Sequence, residues 1–268
     1  MNDIYTQNRS RPGNLVQTIE RVSLILDILG KSPKGISVGE LSEKVGFPKG
    51  TTHRLLSSLS YFNYVRQNSV SKNYHLGFRL VELGNRLLSQ IDFRTEARPF
   101  LVELANNTRE TVHMVILDQN EGLYIDKVEA EHLPTGLRMV SMLGSRIPAH
   151  CSSVGKVLLA WQPEEKLLEL VETKGLPRRT ENTITDIERL KEHLKQVRKA
   201  GYALDNEENE IGIRCVGAPI YNQRSEVIAA ISISVPAIRA EERQLETALK
   251  DQVIGTAFNI SRKLGYQG

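Results

Sequence analysis

The chain of 268 residues has two cysteines, one tryptophan and four methionines, and aromatic residues make up only 6% of it. Two cysteines, Cys151 and Cys215, cannot staple a disulfide framework, so the fold must rest on apolar burial. A 40% hydrophobic content over this length suffices for one large core or two smaller ones. No apolar run approaches the ~18 residues of a membrane span, and no apolar stretch behind a cationic flank opens the sequence. A reduced, cytoplasmic protein with no membrane partner is expected. C-x-x-C, H-E-x-x-H and a glycine-rich phosphate loop are also missing, and with them the local signatures of a zinc site, a zinc protease and a nucleotide enzyme. No catalytic residue, metal or cofactor is expected.

Acidic residues are scarce in one region. Between residues 31 and 79 the only acids are Glu40 and Glu43, against eight Lys and Arg. Residues 1–95 carry 13 basic and 7 acidic residues, whereas 96–268 carry 22 and 25, so the net +3 joins a basic module to a mildly acidic one. The first calls for a polyanion as partner, the second for something else.

Residues 1–13 show no apolar period and read as a mobile tail. Over 14–79 the pattern predicts a winged helix-turn-helix. Val16, Ile19, Val22, Leu26 and Leu29 recur at steps of three and four, and Gly30 stops that helix. Ser37 and Glu40 have the capping-box spacing and open a second helix over 38–45, ended by Gly46. Pro48 suits the first turn of a third helix, where its missing N–H has no intrahelical acceptor. With Thr52, Leu55, Leu56 and Leu59 turned to the core, Lys49, Gly50, Thr51, His53, Arg54 and Ser57 face outward near the helix start. Those positions can reach base edges and phosphates in a major groove. Two short strands in YVRQNSVSKNYHLG then form a wing that carries Arg66 and Lys72 toward the DNA backbone. Ser37 joins them as a DNA-facing candidate. The alternative is a three-helix packing unit whose basic residues are a solvated face.

A linker helix follows at 80–95. Its stripe of Leu80, Leu83, Leu87 and Leu88 is either intramolecular core or a dimer seam. A symmetric operator needs two copies, which favours the seam and a homodimer or homotetramer. Residues 96–268 read as an α+β domain, giving a two-domain α+β chain with an antiparallel sheet and flanking helices in its C-terminal part. TVHMVILD with GLYIDKVE, and CVGAPIY with VIAAISISV, are hairpins. LRMVSM adds a strand, a helix starts near Ser153, Thr185 with Glu188 caps a helix that stops at Gly201, and 240–264 closes the chain as a helix. Ser232 and Ser234, two apart, share a strand face. The amides of Ser153 and Val154 stand at a helix start, ready for a carboxylate. Asp205 and Cys215 flank the polar loop NEENEIGIR.

The stretches LVQTIERVSLILDILG, GISVGELSEKVGFPKGTTHRLLSSL and YHLGFRLVELG resemble the winged helix-turn-helix of the IclR family of bacterial transcriptional regulators, and the resemblance continues through the C-terminal part. It implies a GAF/PAS-like effector domain that binds a small organic acid. The carboxylate would lie on the Ser153 and Val154 amides within HCSSVGK, polar contacts would come from Asp205, Cys215, Ser232 and Ser234, and Met139 would form an apolar wall. Gly50 and Ser153 depart from the serine and glycine common at those places. GKVLLAW, DNEENEIGIRC and AAISISVP resemble the branch that regulates pectin and sugar-acid catabolism, whose effector is 2-keto-3-deoxygluconate. The reading is a ligand-responsive repressor of a palindromic double-stranded DNA operator. Two other classes stay open. One is an architectural DNA binder whose second domain only oligomerises. The other is an enzyme using His150 beside Cys151, or a zinc cluster among His113, His132, His150, Cys151 and Cys215.

Overall fold

In a computed structural model, residues 13–130, 141–240 and 245–268 are described. Residues 1–12 of the expected tail, His132, Met139 and most of LRMVSM lie outside the described residues. The chain divides into two units, Met1–Gln90 and Ile91–Gly268.

In the first unit, Ser37 sets the start of the second helix. Its Oγ accepts from the Glu40 amide while its own amide donates to the Glu40 carboxylate at 3.1 Å, which completes the capping box. The order is α1 (Gln17–Gly30), α2 (Val38–Val45), α3 (Lys49–Tyr61), β1 (Val65–Gln67), β2 (Tyr74–Leu76) and α4 (Arg79–Ser89). Gly46 ends α2 at φ 71°, the left-handed conformation that glycine adopts without steric cost. Pro48 is the N-cap of α3, one position earlier than its expected place in the first turn. Ile25, Leu29, Leu41, Leu56, Leu59 and Val65 form the core.

The first turn of α1 departs from expectation. Val16 and Ile19 are 61% and 60% exposed, and the buried residues are Ile25 and Leu29. Periodicity identified an apolar stripe but not what covers it. The α4 stripe behaves likewise: no residue of α4 is buried, and Val81, Leu83 and Leu87 are exposed.

The second unit holds a six-stranded antiparallel sheet in the order β5-β4-β3-β8-β7-β6. Its strands are β3 (Thr111–Asp118), β4 (Glu121–Val128), β5 (Arg146–Pro148), β6 (Ala203–Asn206), β7 (Ile213–Tyr221) and β8 (Val227–Pro236). α5 (Asp92–Thr108) and the C-terminal α9 (Lys250–Lys263) pack together on one face. α6 (Ser153–Ala160) and α8 (Ile187–Ala200) pack on the other, and α7 (Glu164–Lys174) adds Leu167 and Leu170 to that core. A bulge at Ile125 changes which side β4 presents: Met114 pairs with Asp126, but Val115 pairs with Tyr124. Tyr124 joins the α6 side, while Asp126 meets Arg94 and Arg98 of α5.

One expected cap needs correction, and one helix is additional. The N-cap of α8 is Asp186, whose carboxylate accepts from the Arg189 amide at 2.9 Å; Thr185 plays no capping part. Of the closing helix expected over 240–264, Ala240 bonds Pro236 in a turn after β8, residues 241–244 lie outside the described residues, and a π-helical turn at Leu245–Leu249 precedes α9. α7 was not foreseen, although Pro163, two glutamates in the first turn and Gly175 mark its ends.

Candidate functional site

On α3, burial divides the residues as a recognition helix requires. Thr52, Leu56 and Leu59 are buried; Lys49, Gly50, His53, Arg54 and Ser57 are exposed and Thr51 is partly so. The side chains of Lys49, His53 and Arg54 have no hydrogen bond or ion pair among the described residues, which leaves three donors for an outside acceptor. Ser57 donates back to the His53 carbonyl at 3.0 Å. In the wing, Lys72 sits at the tip with φ 60°, in a turn built on the Asn68 side chain, which accepts from the amides of Val70 and Ser71. Arg66 stacks 5.3 Å from the Phe78 ring centre, so its guanidinium is held at the base of the wing. Ser37 spends its hydroxyl on the capping box. Its segment, GISVG, also has the G-x-S-x-G spacing of a hydrolase elbow. The serine there caps a helix and is bonded to Glu40, with no histidine among the described residues bonded to it.

The second unit contains a cavity of about 330 Å³. Cross-strand register assembles one wall of it. Asp205 lies opposite Cys215, and Cys215 lies opposite Ser234, so three side chains from β6, β7 and β8 stand in one row. Ser232 lies two residues along β8 on the same face, opposite Gly217. The facing wall is the start of α6. Ser153 and Val154 are its first two residues, so neither amide has an intrahelical acceptor, and both residues line the cavity. Ser152 caps the helix by accepting from the Gly155 amide at 3.2 Å. The helix tip reaches the sheet because residue 217 is glycine: a Cβ there would lie 3.2 Å from the Ser153 Oγ.

Two buried charges near this cavity form an ion pair. Lys156 of α6 is 0% exposed and bonds Glu208 of the β6–β7 loop. That loop is also clasped by Thr180 and Thr183, whose hydroxyls donate to the carbonyls of Glu207 and Glu208 at 2.7 and 2.6 Å. Asp205 accepts from the amides of Glu208 and Asn209 through one oxygen. Burial pushes its carboxyl up to about 7, against the opposing pull of Lys156. His113 of β3 stands behind the Ser234 row, 1% exposed. Burial, with Lys127 nearby, pulls it down to about 3, so the ring is neutral at physiological pH.

Residues 18–69 match the IclR helix-turn-helix domain, and residues 85–262 match the bacterial transcriptional regulator IclR C-terminal domain. The chain belongs to the IclR family. It is 38% identical over 252 residues to the HTH-type transcriptional regulator XynR of Escherichia coli K12, spanning 94% of this chain and 98% of that protein. To the HTH-type transcriptional regulator KdgR of the same organism it is 37% identical over 251 residues, 94% of each. The crystal structure of an IclR homolog from Microbacterium hydrocarbonoxydans complexed with 4-hydroxybenzoate superimposes with a TM-score of 0.79 at 25% identity, covering 92% of this chain and 98% of that one.

As an IclR-family member the chain is a DNA-binding transcriptional regulator. Of the residues that the IclR resemblance marked for the effector, Ser153, Val154, Asp205, Cys215, Ser232 and Ser234 all line the one cavity, and Met139 lies outside the described residues. His150 bonds the Pro177 carbonyl at 3.1 Å, and burial pushes the Cys151 thiol up to about 12, which keeps it protonated. No helix among the described residues is long and apolar enough to cross a membrane. Sequence reasoning missed Tyr124, Ser141, Arg179 and Asn209 on the cavity wall, and it considered His113 only as a metal ligand. Their placement depends on strand register and loop paths, which leave no local signal.

Proposed function

We propose that this chain is a ligand-responsive repressor that binds a palindromic operator as a homodimer or homotetramer and releases it when a small hydroxylated or keto carboxylate enters the C-terminal cavity. The observation that carries this reading is the pairing of two unspent helix-start amides, at Ser153 and Val154, with a polar wall of Asp205, Ser232 and Ser234. The amides suit a carboxylate, and the wall suits a hydroxylated tail. A wholly apolar ligand would leave these groups unpaired at about 1–3 kcal/mol each. The similarity to KdgR and the branch resemblance favour 2-keto-3-deoxygluconate or a related sugar acid. That an IclR homolog is complexed with 4-hydroxybenzoate supports a small carboxylate as the effector class. The basic recognition helix and wing supply the operator contacts. Release requires that the ligand prefer the DNA-incompetent arrangement, since equal affinity for both states shifts nothing. Calorimetry of the full chain with a sugar-acid panel, followed by anisotropy of a labelled upstream DNA fragment with the acid that binds, tests both halves. Binding without DNA release would refute the regulatory half, and absence of binding would refute the ligand.

A further inference from the structure

The Ser234 hydroxyl is one link in a chain of hydrogen bonds that leaves the cavity and returns to it. The Cys215 thiol donates to Ser234 Oγ at 3.2 Å. Ser234 Oγ lies 3.2 Å from Nδ1 of His113, and the other ring nitrogen, Nε2, lies 2.7 Å from Ser141 Oγ. Ser234 and Ser141 both line the cavity, while the imidazole between them is buried behind it. The ring is placed by β3, where it lies diagonal to Ser234, whose direct partner is Thr111.

We propose that His113 is a positioning residue that gives Ser234 and Ser141 opposite hydrogen-bond polarity, and thereby makes the cavity select a hydroxylated ligand tail over an alkyl one. This deepens the sugar-acid reading above and rests on it. A neutral imidazole has one N–H and one bare nitrogen. With Nδ1 bare, Ser234 donates to it, accepts from Cys215 and keeps a lone pair for the ligand. Ser141 then accepts from Nε2–H and turns its own proton to the cavity. The other tautomer reverses both roles. In each state one hydroxyl has its proton free for the cavity while the other has only a lone pair to offer, so the two never both donate. A ligand hydroxyl both donates and accepts, so a polyol tail completes either state. An alkyl tail completes neither, and it covers two polar groups that water otherwise satisfies.

The test uses two six-carbon probes with the same 2-keto acid head, 2-keto-3-deoxygluconate and 2-oxohexanoate, and reads the ratio of their calorimetric affinities on the full chain. Wild type is expected to favour the hydroxylated probe. His113→Phe, which keeps a planar ring and removes both partners, is expected to lower that ratio by about tenfold, the size of one lost hydrogen bond. Its affinity for 2-oxohexanoate should stay within about twofold, a split that a merely structural role for His113 would not produce. An unchanged ratio in folded His113→Phe, or no preference in wild type, overturns the proposal. Should His113→Phe fail to fold, Ser141→Ala decides: a lowered ratio supports the proposal and an unchanged one overturns it. If wild type binds neither probe, the sugar-acid reading itself fails and this inference falls with it.

Discussion

Lys156 and Glu208 form an ion pair that ties α6 to the loop between β6 and β7, two elements that both contribute to the cavity wall. The Lys156 side chain is fully buried, and Glu208 has one oxygen with no partner among the described residues, so neither charge can be solvated if the other is lost. Lys156→Met is expected to destabilise the second unit by about 3–5 kcal/mol, because it strands the carboxylate. Adding Glu208→Gln should return most of that loss. Chemical denaturation of the single and double variants measures it, and a single-variant cost below ~1 kcal/mol would show that the pair does not anchor the loop.

Asp205 gives the protein a pH dependence of known sign. Its folded pKa is raised from 3.8 to about 7, chiefly by burial, so the folded state keeps a proton that the unfolded state releases. Stability therefore falls as pH rises between those two values, by up to about 1.4 kcal/mol per pH unit, and stays lowered above them. Asp205→Asn removes this slope. The melting temperature of the variant minus that of wild type should grow by several degrees from pH 4.5 to pH 8. A constant difference across that range would contradict the burial argument.

Arg54→Ala is expected to weaken specific operator binding by about 1–3 kcal/mol with an unchanged melting temperature, since Arg54 is exposed and bonded to nothing that holds the fold. Lys72→Ala, at the wing tip, should weaken all sequences alike and lower the salt dependence by about one ion. Anisotropy titrations over a salt series separate the two effects. Equal operator affinity for Arg54→Ala and wild type would remove α3 from the role of recognition helix.

The exposed stripe on α4 predicts an oligomer. Leu87 is 63% exposed on a helix with no buried residue, a costly arrangement for a monomer. Light scattering should report at least a dimer at micromolar concentration, and Leu87→Glu should shift it toward the monomer. A monomeric wild type, with and without DNA, would count against the seam.

The legible parts of the molecule are those whose cause is local. The capping box of Ser37 and Glu40, the glycine stop at Gly46 and both hairpins follow from neighbours within a few residues, and the structure reproduces them. Where two residues competed for one local role, spacing was not enough. Thr185 with Glu188 fits the capping-box pattern, but Asp186 takes the cap with a carboxylate, which is also the better match to the positive end of the helix. The apolar stripe of α1 was readable, but its exposure at Val16 and Ile19 depends on what packs there. The candidate cavity was half legible: Ser232 and Ser234 announce a shared face through their spacing, and the amides at Ser153 announce a helix start. The alignment of Asp205, Cys215 and Ser234 is a matter of register across three strands, and the bulge at Ile125 that separates Tyr124 from Asp126 has no marker in its own residues.

The amides of Ser153 and Val154 belong to the main chain, so the contacts that most favour an anion are invisible to alanine scanning. Any exchange at these positions other than to proline leaves both N–H groups in place. Proline is the genetic deletion of an amide, and the first helical position is where proline fits a helix without loss. Ser153 occupies that position, and Ser152 before it is extended at φ −105° and ψ 149°, the conformation a following proline demands. Ser153→Pro thus erases one donor while the backbone path survives, which gives the proposed carboxylate contact, one that scanning mutagenesis overlooks, a single-codon test.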